Sequence, residues 1–193
     1  MKKEEKFKLL DAVIVATEMT EKEVEVYFQS RKGIVQSIFP IAYKRENNFE
    51  LLPYLDYARK KEVWGFEIMP GVILAKRCDA VDDVKADEWI TSKNFAEKCT
   101  MAGKQGKLPS KELLKQNWSI ELITNIRKMD EFLCEYDVNA EQRSSEKLWF
   151  TGVLWCSDVS RGSNPCYFIM ENGTARCSVE PKYSIGNRLV VSF

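Results

Sequence analysis

Thiol groups are the strongest nucleophiles that this sequence offers. The chain of 193 residues contains six cysteines and no histidine. Because a Ser-His-Asp triad and a Cys-His pair both need an imidazole, the common hydrolase mechanisms are excluded. Any covalent chemistry would therefore fall to Cys156 and Cys166, for which the alternative interpretation is a buried, structural thiol.

Ligands for a metal ion are also scarce. No two cysteines form a C-x-x-C pair, so neither a zinc ribbon nor a thioredoxin-like site is indicated. The absence of histidine removes the usual zinc and iron sites, and the sequence contains no calcium loop of the D-x-D-x-D-G type. We expect no metal site and no cofactor.

The segment from Asp158 to Tyr183 could instead bind a ligand without catalysing a reaction. The candidate ligand-binding residues are Asp158, Arg161, Asn164, Tyr167 and Tyr183. Aromatic side chains with polar tips, mixed with charged and amide groups, are typical of recognition surfaces. The alternative is that the polar residues are solvated loop positions and that Tyr167 is half-buried in a strand.

The charge balance bears on possible partners. Lys plus Arg and Asp plus Glu each number 29, so the basic excess with which a protein neutralises nucleic-acid phosphates is missing. The composition, 45% hydrophobic and 30% charged, is ordinary for a soluble globular protein. We expect an unidentified protein or glycan ligand and no nucleic acid, with the oligomeric state open.

The amino terminus favours a cytoplasmic protein. Lys2 and Lys3 precede an apolar run, as in a signal peptide, but Glu4, Glu5 and Asp11 break that pattern. No run approaches the roughly 18 consecutive apolar residues of a membrane-spanning helix. A surface or extracellular location is the alternative if a leader is missing.

The first half of the chain is mostly strand-like. Residues 9–16, 23–28 and 33–43 read as strands, with Pro40 interrupting the last one or placing it at an edge, although Thr20 could instead cap a helix. Residues 49–62 suit a short helix or an irregular connection. Two apolar runs in residues 63–77 flank Pro70 and Gly71 and predict a hairpin-like turn.

Three helical segments follow. Ser92 is predicted to cap a helix whose Phe95, Ala96 and Cys99 share one face and which stops at Gly103. Ser110 is predicted to cap the next helix, with Glu112 in its first turn. The third helix carries an apolar stripe, which we interpret as core packing: Leu122, Ile126, Met129, Leu133 and Tyr136.

The tail returns to strands. Asn172 and Gly173 suit a type I′ hairpin turn, because both residues tolerate positive φ. That turn places Phe168 opposite Cys177 and leaves Cys166 on a diagonal that is usually too long for a disulfide. Without an export signal we expect reduced, mostly buried thiols.

The order of five segments resembles a bacterial family of domains of unknown function, typified by the C-terminal domain of a collagen-like adhesin with a C-type-lectin-like fold. The segments are "DEWITSKNFAEKC", "GKLPSKELL", "VLWCSD", "CYFIMENGTARC" and "GNRLVVSF". The chain departs from the family pattern where Cys156 replaces the first serine of Trp-Ser-Ser, Asp158 follows, and Lys107 stands where a Trp is usual.

The resemblance covers residues 63–193 and implies an α+β fold there: a C-type-lectin-like domain with twisted antiparallel sheets and two to three helices. From their strand-like patterns, residues 1–62 are interpreted as a β-rich amino-terminal elaboration packed on that domain. The resemblance also implies structural roles. Leu108 and Pro109 would fix the start of the second helix, Trp155 would fill the core, and Arg188 with Phe193 would hold the last strand.

A non-catalytic binding module is the function that the resemblance and the missing catalytic groups favour. Calcium-dependent sugar binding is not indicated, because the Glu-Pro-Asn, Gln-Pro-Asp and Trp-Asn-Asp triplets of C-type lectins are absent. The alternatives are a structural or assembly subunit of a phage-like or surface appendage and, less favoured by the sequence, a thiol-dependent enzyme.

Overall fold

The computed structural model describes residues 33–76, 88–135, 152–177 and 187–193. These residues form a mixed α+β fold of mostly strands with a few helices, which confirms the predicted class. The strands are β1 Ile34–Arg45, β2 Asn48–Asp56, β3 Val63–Met69, β4 Val72–Ala75, β5 Thr100–Met101, β6 Lys104–Gln105, β7 Val153–Val159, β8 Pro165–Ile169, β9 Thr174–Cys177 and β10 Val190–Ser192. The helices are α1 Trp89–Lys98, α2 Lys111–Asn117, α3 Ile120–Glu135 and a 3₁₀ helix, Tyr57–Glu62.

The larger sheet of the described residues has seven strands in the order β10-β4-β3-β1-β2-β5-β6. Neighbouring strands are antiparallel except β2 and β5, which run parallel. β1 lies between β2 and β3, so strands from either side of residue 62 belong to one sheet. The strands predicted at residues 9–16 and 23–28, and Thr20, lie outside the described residues.

Pro40 neither ends β1, which runs unbroken from Ile34 to Arg45, nor places it at an edge of the sheet. It lies where the pairing of β1 is irregular, because proline has no backbone N–H to donate. The register between β1 and β2 shifts between Gln36 and Ile41, and pairing with β3 begins only at Ile41. The hairpin predicted around Pro70 and Gly71 is confirmed, as the turn between β3 and β4.

Residues 49–62 depart from the helix or irregular connection that the sequence suggests. Most of them form β2, and only Tyr57–Glu62 turn into a 3₁₀ helix. Asp56 begins that helix by accepting a hydrogen bond from Ala58 N at 3.0 Å. The pairing of β2 with β1 outweighs the weak local preference of residues 49–56 for a helix or an irregular connection.

The helices confirm some predicted signals and correct others. Ser110 caps α2 by accepting a hydrogen bond from Leu113 N at 3.2 Å. Ser92 is not a cap: α1 begins at Trp89, and Ser92 is buried in the helix. Gly103 does not stop α1 either, because it lies in the turn between β5 and β6 with φ +79°.

The apolar stripe of α3 faces the core, as expected. Ile126 and Met129 are fully buried, Leu133 is buried, and Leu122 packs against the core partly exposed. Tyr136, the last position of the predicted stripe, lies outside the described residues.

The β8–β9 hairpin has a different register from the predicted one. Ile169 pairs with Thr174, so the loop contains four residues, and only Gly173 of the expected Asn-Gly turn takes a positive φ. The longer loop shifts the register by two positions and brings Cys166 opposite Cys177. The predicted facing of Phe168 and Cys177 is therefore wrong, and Cys166 and Cys177 form a disulfide with a Cα–Cα distance of 4.0 Å.

Trp118 at the end of α2 holds the tip of this hairpin. Its Nε1 donates a hydrogen bond to Met170 O at 2.6 Å. Its ring lies so close to Gly173 that a Cβ there would be 2.6 Å from the ring. Glycine is thus required at position 173 both for its φ of +66° and for this contact.

Arg188 fixes the last strand from within the core. Its guanidinium donates to both carboxylate oxygens of Asp130 on α3, at 2.8 and 2.9 Å, and also to Ala75 O. Both side chains are buried, with exposed fractions of 5% for Arg188 and 1% for Asp130. Trp155 is also buried.

Candidate functional site

Asp158, the first residue of the predicted recognition segment, serves the fold. Its Oδ2 accepts a hydrogen bond from Lys111 N at 2.7 Å, at the first turn of α2. A carboxylate at a helix amino terminus satisfies an otherwise unpaired N–H group and complements the helix dipole. One carboxylate oxygen of Asp158 is therefore already engaged.

Tyr167 is likewise enclosed by the fold. It is only 3% exposed, and its ring meets that of Trp155 edge to face, with centroids 5.9 Å apart. Neither ring face nor edge of Tyr167 is presented as an open recognition surface.

Arg161 and Asn164 are the predicted residues that do reach the surface. Arg161 is exposed in the turn after β7. Asn164 is half-exposed and is tied back to Ser160 by two hydrogen bonds, from Ser160 N to Asn164 O and from Asn164 N to Ser160 Oγ. Tyr183 lies outside the described residues. The structure thus brings Arg161 and Asn164 together in one turn, without Asp158 or Tyr167 beside them as open contact groups.

The two candidate nucleophiles are held in unreactive forms. Cys166 is bonded to Cys177, so its sulfur is no longer a thiol. Burial, and to a lesser extent the negative charge of Asp158, raises the pKa of the Cys156 thiol to about 12. Because only a thiolate attacks well, Cys156 is a poor nucleophile near neutral pH.

A polar cavity of about 340 Å³ lies on the face of the β1–β2 hairpin, in a region where the sequence predicts no function. We call it the arginine pocket, and its lining residues are Tyr43, Arg45, Asn48, Glu50 and Arg59. Its volume is at the low end of the range for small-molecule sites.

Strand geometry explains how four of these residues meet. Arg45 pairs with Asn48 across the hairpin, and Tyr43 pairs with Glu50. Residues two apart on a strand share a face, and opposite residues of an antiparallel pair do so as well. Tyr43, Arg45, Asn48 and Glu50 therefore lie on one face, while Phe49, on the other face, packs in the core.

Tyr43 is the buried floor of the pocket. Its hydroxyl donates to Tyr54 O at 3.1 Å and accepts from Asp56 N at 2.6 Å. These bonds attach β1 to the end of β2, where the 3₁₀ helix begins. Burial raises the pKa of Tyr43 to about 12, so the hydroxyl stays protonated and keeps both bonds under ordinary conditions.

Arg59 covers that floor from the 3₁₀ helix. Its guanidinium lies 4.4 Å from the centre of the Tyr43 ring. It donates to Glu50 Oε2 at 2.8 Å and to Glu62 Oε2 at 2.8 and 3.0 Å. The hydrogen bond to Glu50, followed by that to Glu62, raises the pKa of Arg59 above its ordinary value. Arg59 is thus a fixed, fully charged part of the wall.

Arg45 is the exposed cation of the pocket. Its side chain is 77% exposed, and its Nη2 donates to Glu62 Oε1 at 2.9 Å. Hydrogen bonds from Arg45, and then from Arg59, hold the pKa of Glu62 below its usual range. Glu62 therefore links an exposed arginine to a fixed one.

Sequence reasoning missed this pocket because it took residues 49–62 as a short helix or irregular connection. The signal was present in the alternation of Tyr43, Arg45, Asn48 and Glu50 around the Glu46–Asn47 turn, which predicts a hairpin with one polar face. The position of Arg59 had no comparable signal, because it depends on where the 3₁₀ helix folds back.

Comparisons with protein-family models, with curated protein sequences and with solved structures found no match to this chain. Within the ranges that the structure describes, no three Asp, Glu or Cys side chains cluster closely enough to hold a metal ion. In those same ranges no helix is both long enough and apolar enough to cross a membrane.

Proposed function

We propose that this protein is a non-catalytic binding module of C-type-lectin-like architecture that holds a small polar ligand in the arginine pocket without calcium. The observation that carries the proposal is the pocket itself, in which an exposed arginine and an amide stand beside a wall fixed by Tyr43 and Arg59. Fixed walls with a few converging polar groups are the usual form of a small-molecule site.

The state of the cysteines favours binding over thiol catalysis. The Cys156 thiol is fully buried with a raised pKa, and the sulfur of Cys166 is in a disulfide. Neither residue offers the exposed thiolate that a nucleophilic mechanism needs.

The disulfide also bears on location. Disulfides persist in oxidising compartments and are rare in the reducing cytoplasm. The Cys166–Cys177 bond therefore supports a surface or extracellular protein over the cytoplasmic location that the amino terminus suggests. Alkylation of the protein in cells before lysis, followed by mass spectrometry, tests this: a fully alkylated Cys177 would contradict it.

Assembly is a second candidate function, favoured by apolar side chains on β1. Ile34 is 42% exposed and Ile38 is 52% exposed. Large exposed aliphatic groups on a strand favour association with another protein surface. Light scattering over a dilution series separates the two functions, because an assembly subunit should form larger species and lose them in the variant Ile38→Ser.

A screen of small polar molecules by ligand-observed NMR, with and without EDTA, tests the binding function. We expect hits that are unaffected by EDTA and lost in Arg45→Ala. The matched control is Arg161→Ala, which removes an exposed arginine from the turn after β7. Hits that are lost in Arg161→Ala and kept in Arg45→Ala would move the site to the segment containing Arg161 and Asn164.

A further inference from the structure

The donors and acceptors of the arginine pocket indicate a class of ligand. We propose that the pocket binds a hydroxylated carboxylic acid: a monoanionic carboxylate with neighbouring hydroxyl groups, of which a uronic acid is an example. The inference rests on the proposed function, because it names the ligand of the same pocket.

Arg45 supplies the group that would receive the carboxylate. A guanidinium has five N–H donors, and the bond to Glu62 Oε1 uses one of them. With its side chain 77% exposed, Arg45 can offer two parallel N–H groups to a planar carboxylate.

Asn48 adds a donor beside Arg45. The two residues are a directly opposed pair of the hairpin. The side-chain oxygen of Asn48 accepts a hydrogen bond from Thr100 Oγ1 at 3.2 Å, so the amide NH₂ is the end that remains for a ligand. An amide and a guanidinium side by side suit an oxygen-rich anion.

Arg59 does not compete for that anion. Its Nε and Nη2 groups donate to Glu50 and Glu62, whose charges offset its own, and its guanidinium covers Tyr43. Its part is to position Glu50 and Glu62 and to compensate their charge.

Glu50 favours a ligand that carries hydroxyl groups next to its carboxylate. It is 53% exposed at the pocket and already paired with Arg59. A carboxylate whose charge is compensated gains little from a second cation, whereas it can still accept a hydrogen bond from a neutral hydroxyl. Because Glu50 and Glu62 balance the charges of Arg45 and Arg59, the pocket has no excess positive charge with which to hold a dianion such as phosphate.

The size of the pocket limits the ligand to a single sugar ring or a comparably small molecule. A volume of about 340 Å³ suits one sugar ring or a comparably small acid. The unit can be a free acid or one residue of an acidic glycan, because both present the same carboxylate and hydroxyl groups.

Two-dimensional amide NMR spectra of the full chain, titrated separately with D-glucuronate, D-glucose and inorganic phosphate, test the inference. We expect glucuronate to shift the signals of Arg45 and Asn48 and to bind more tightly than glucose or phosphate. Arg45→Ala should weaken glucuronate binding by about tenfold or more, as expected for the loss of a charged hydrogen bond, and Arg161→Ala should not. A parallel titration with an oligosaccharide that contains glucuronate shows whether the pocket binds the free acid or the glycan residue more tightly.

The other outcomes separate the ligand class from the proposed function. If glucose or phosphate shifts the same signals at equal or lower concentration, the ligand class is wrong and the binding pocket stands. If glucuronate shifts only signals outside the pocket, or binds Arg45→Ala as well as the wild type, this inference is overturned. If no small polar molecule of the screen perturbs the pocket, the proposed function fails with it.

Discussion

The arginine pocket and the carboxyl-terminal part of the chain use the same partners, arginine and carboxylate, in opposite environments. Arg188 and Asp130 meet in the core, whereas Arg45 meets Glu62 with most of its side chain in solvent. A buried pair cannot lose one partner without leaving an uncompensated charge, while an exposed pair contributes little to stability and can exchange partners. Burial thus decides whether an arginine holds the fold or is available to a ligand.

The carboxyl-terminal part of the chain differs from the arginine pocket also in its covalent and aromatic contacts. The tail is also held by the Cys166–Cys177 disulfide and by Trp118 over Gly173. The pocket depends instead on hydrogen bonds from Tyr43 and on the ion pairs of Arg59. We therefore expect substitutions in the tail to change stability and substitutions in the pocket to change binding.

Asp130→Ala should have the largest effect on stability. It leaves the buried guanidinium of Arg188 without its carboxylate, and we expect the free energy of unfolding to fall by about 3–5 kcal/mol. Denaturant unfolding followed by tryptophan fluorescence measures the change. The double variant Asp130→Ala, Arg188→Met should recover part of the loss. If the free energy of unfolding of Asp130→Ala fell by less than about 1 kcal/mol, the claim that the buried pair holds the fold would be wrong.

Removing the disulfide should have the next largest effect. The bond closes a loop between residues separated by 11 positions, so replacing both Cys166 and Cys177 by serine should cost about 2–3 kcal/mol. Thermal unfolding with and without a reductant provides the control, since the reductant should destabilise the wild type and leave the double variant unchanged. Equal stability of the two proteins without reductant would contradict the register of the hairpin.

Arg59→Ala should have a smaller effect on stability and a clear effect on the pocket. It removes the cation over Tyr43 and the partner of Glu50 and Glu62, at a cost of about 1 kcal/mol. We expect weaker binding of any pocket ligand and altered amide signals for Glu50 and Glu62. Arg59→Lys keeps the charge but not the bonding geometry, so it should recover stability more than binding.

The titration of Tyr43 should give the smallest effect, visible only in alkali. Its pKa is raised from 10.0 to about 12 in the folded protein, so its contribution to stability is fully present below pH 10 and is lost as the pH rises through about 12. Absorbance at the tyrosinate band should show a late-titrating component that is missing in Tyr43→Phe. Titration of Tyr43 with an ordinary pKa would mean that the pocket floor is open.

Local signals in the sequence were sufficient where a single element decides the structure. Ser110 caps α2, Pro70 and Gly71 turn a hairpin, and the stripe of α3 faces the core because each depends on neighbouring residues only. The register of the β8–β9 hairpin was beyond such signals. Asn172 and Gly173 fit a two-residue turn, but Trp118, from a different element, packs on Gly173 and bonds Met170 in the four-residue loop.

The candidate site was less predictable than the fold. Charge and aromaticity in the sequence pointed to Asp158 and Tyr167, yet neither property tells whether a side chain is already bonded within the protein. The arginine pocket arises from strand pairing and from a 3₁₀ helix that brings Arg59 back over Tyr43. The alternation of residues around the turn could have predicted the hairpin, but the return of Arg59 over Tyr43 has no signature in a single sequence.

The most direct test of this account is a chemical-shift map of the strongest hit from the polar-molecule screen, recorded on the wild-type protein. The account predicts shifts concentrated on Arg45, Asn48 and Glu50, with the signals of Arg161 and Asn164 unchanged. Shifts concentrated on Arg161 and Asn164 instead, with the pocket signals unchanged, would contradict it.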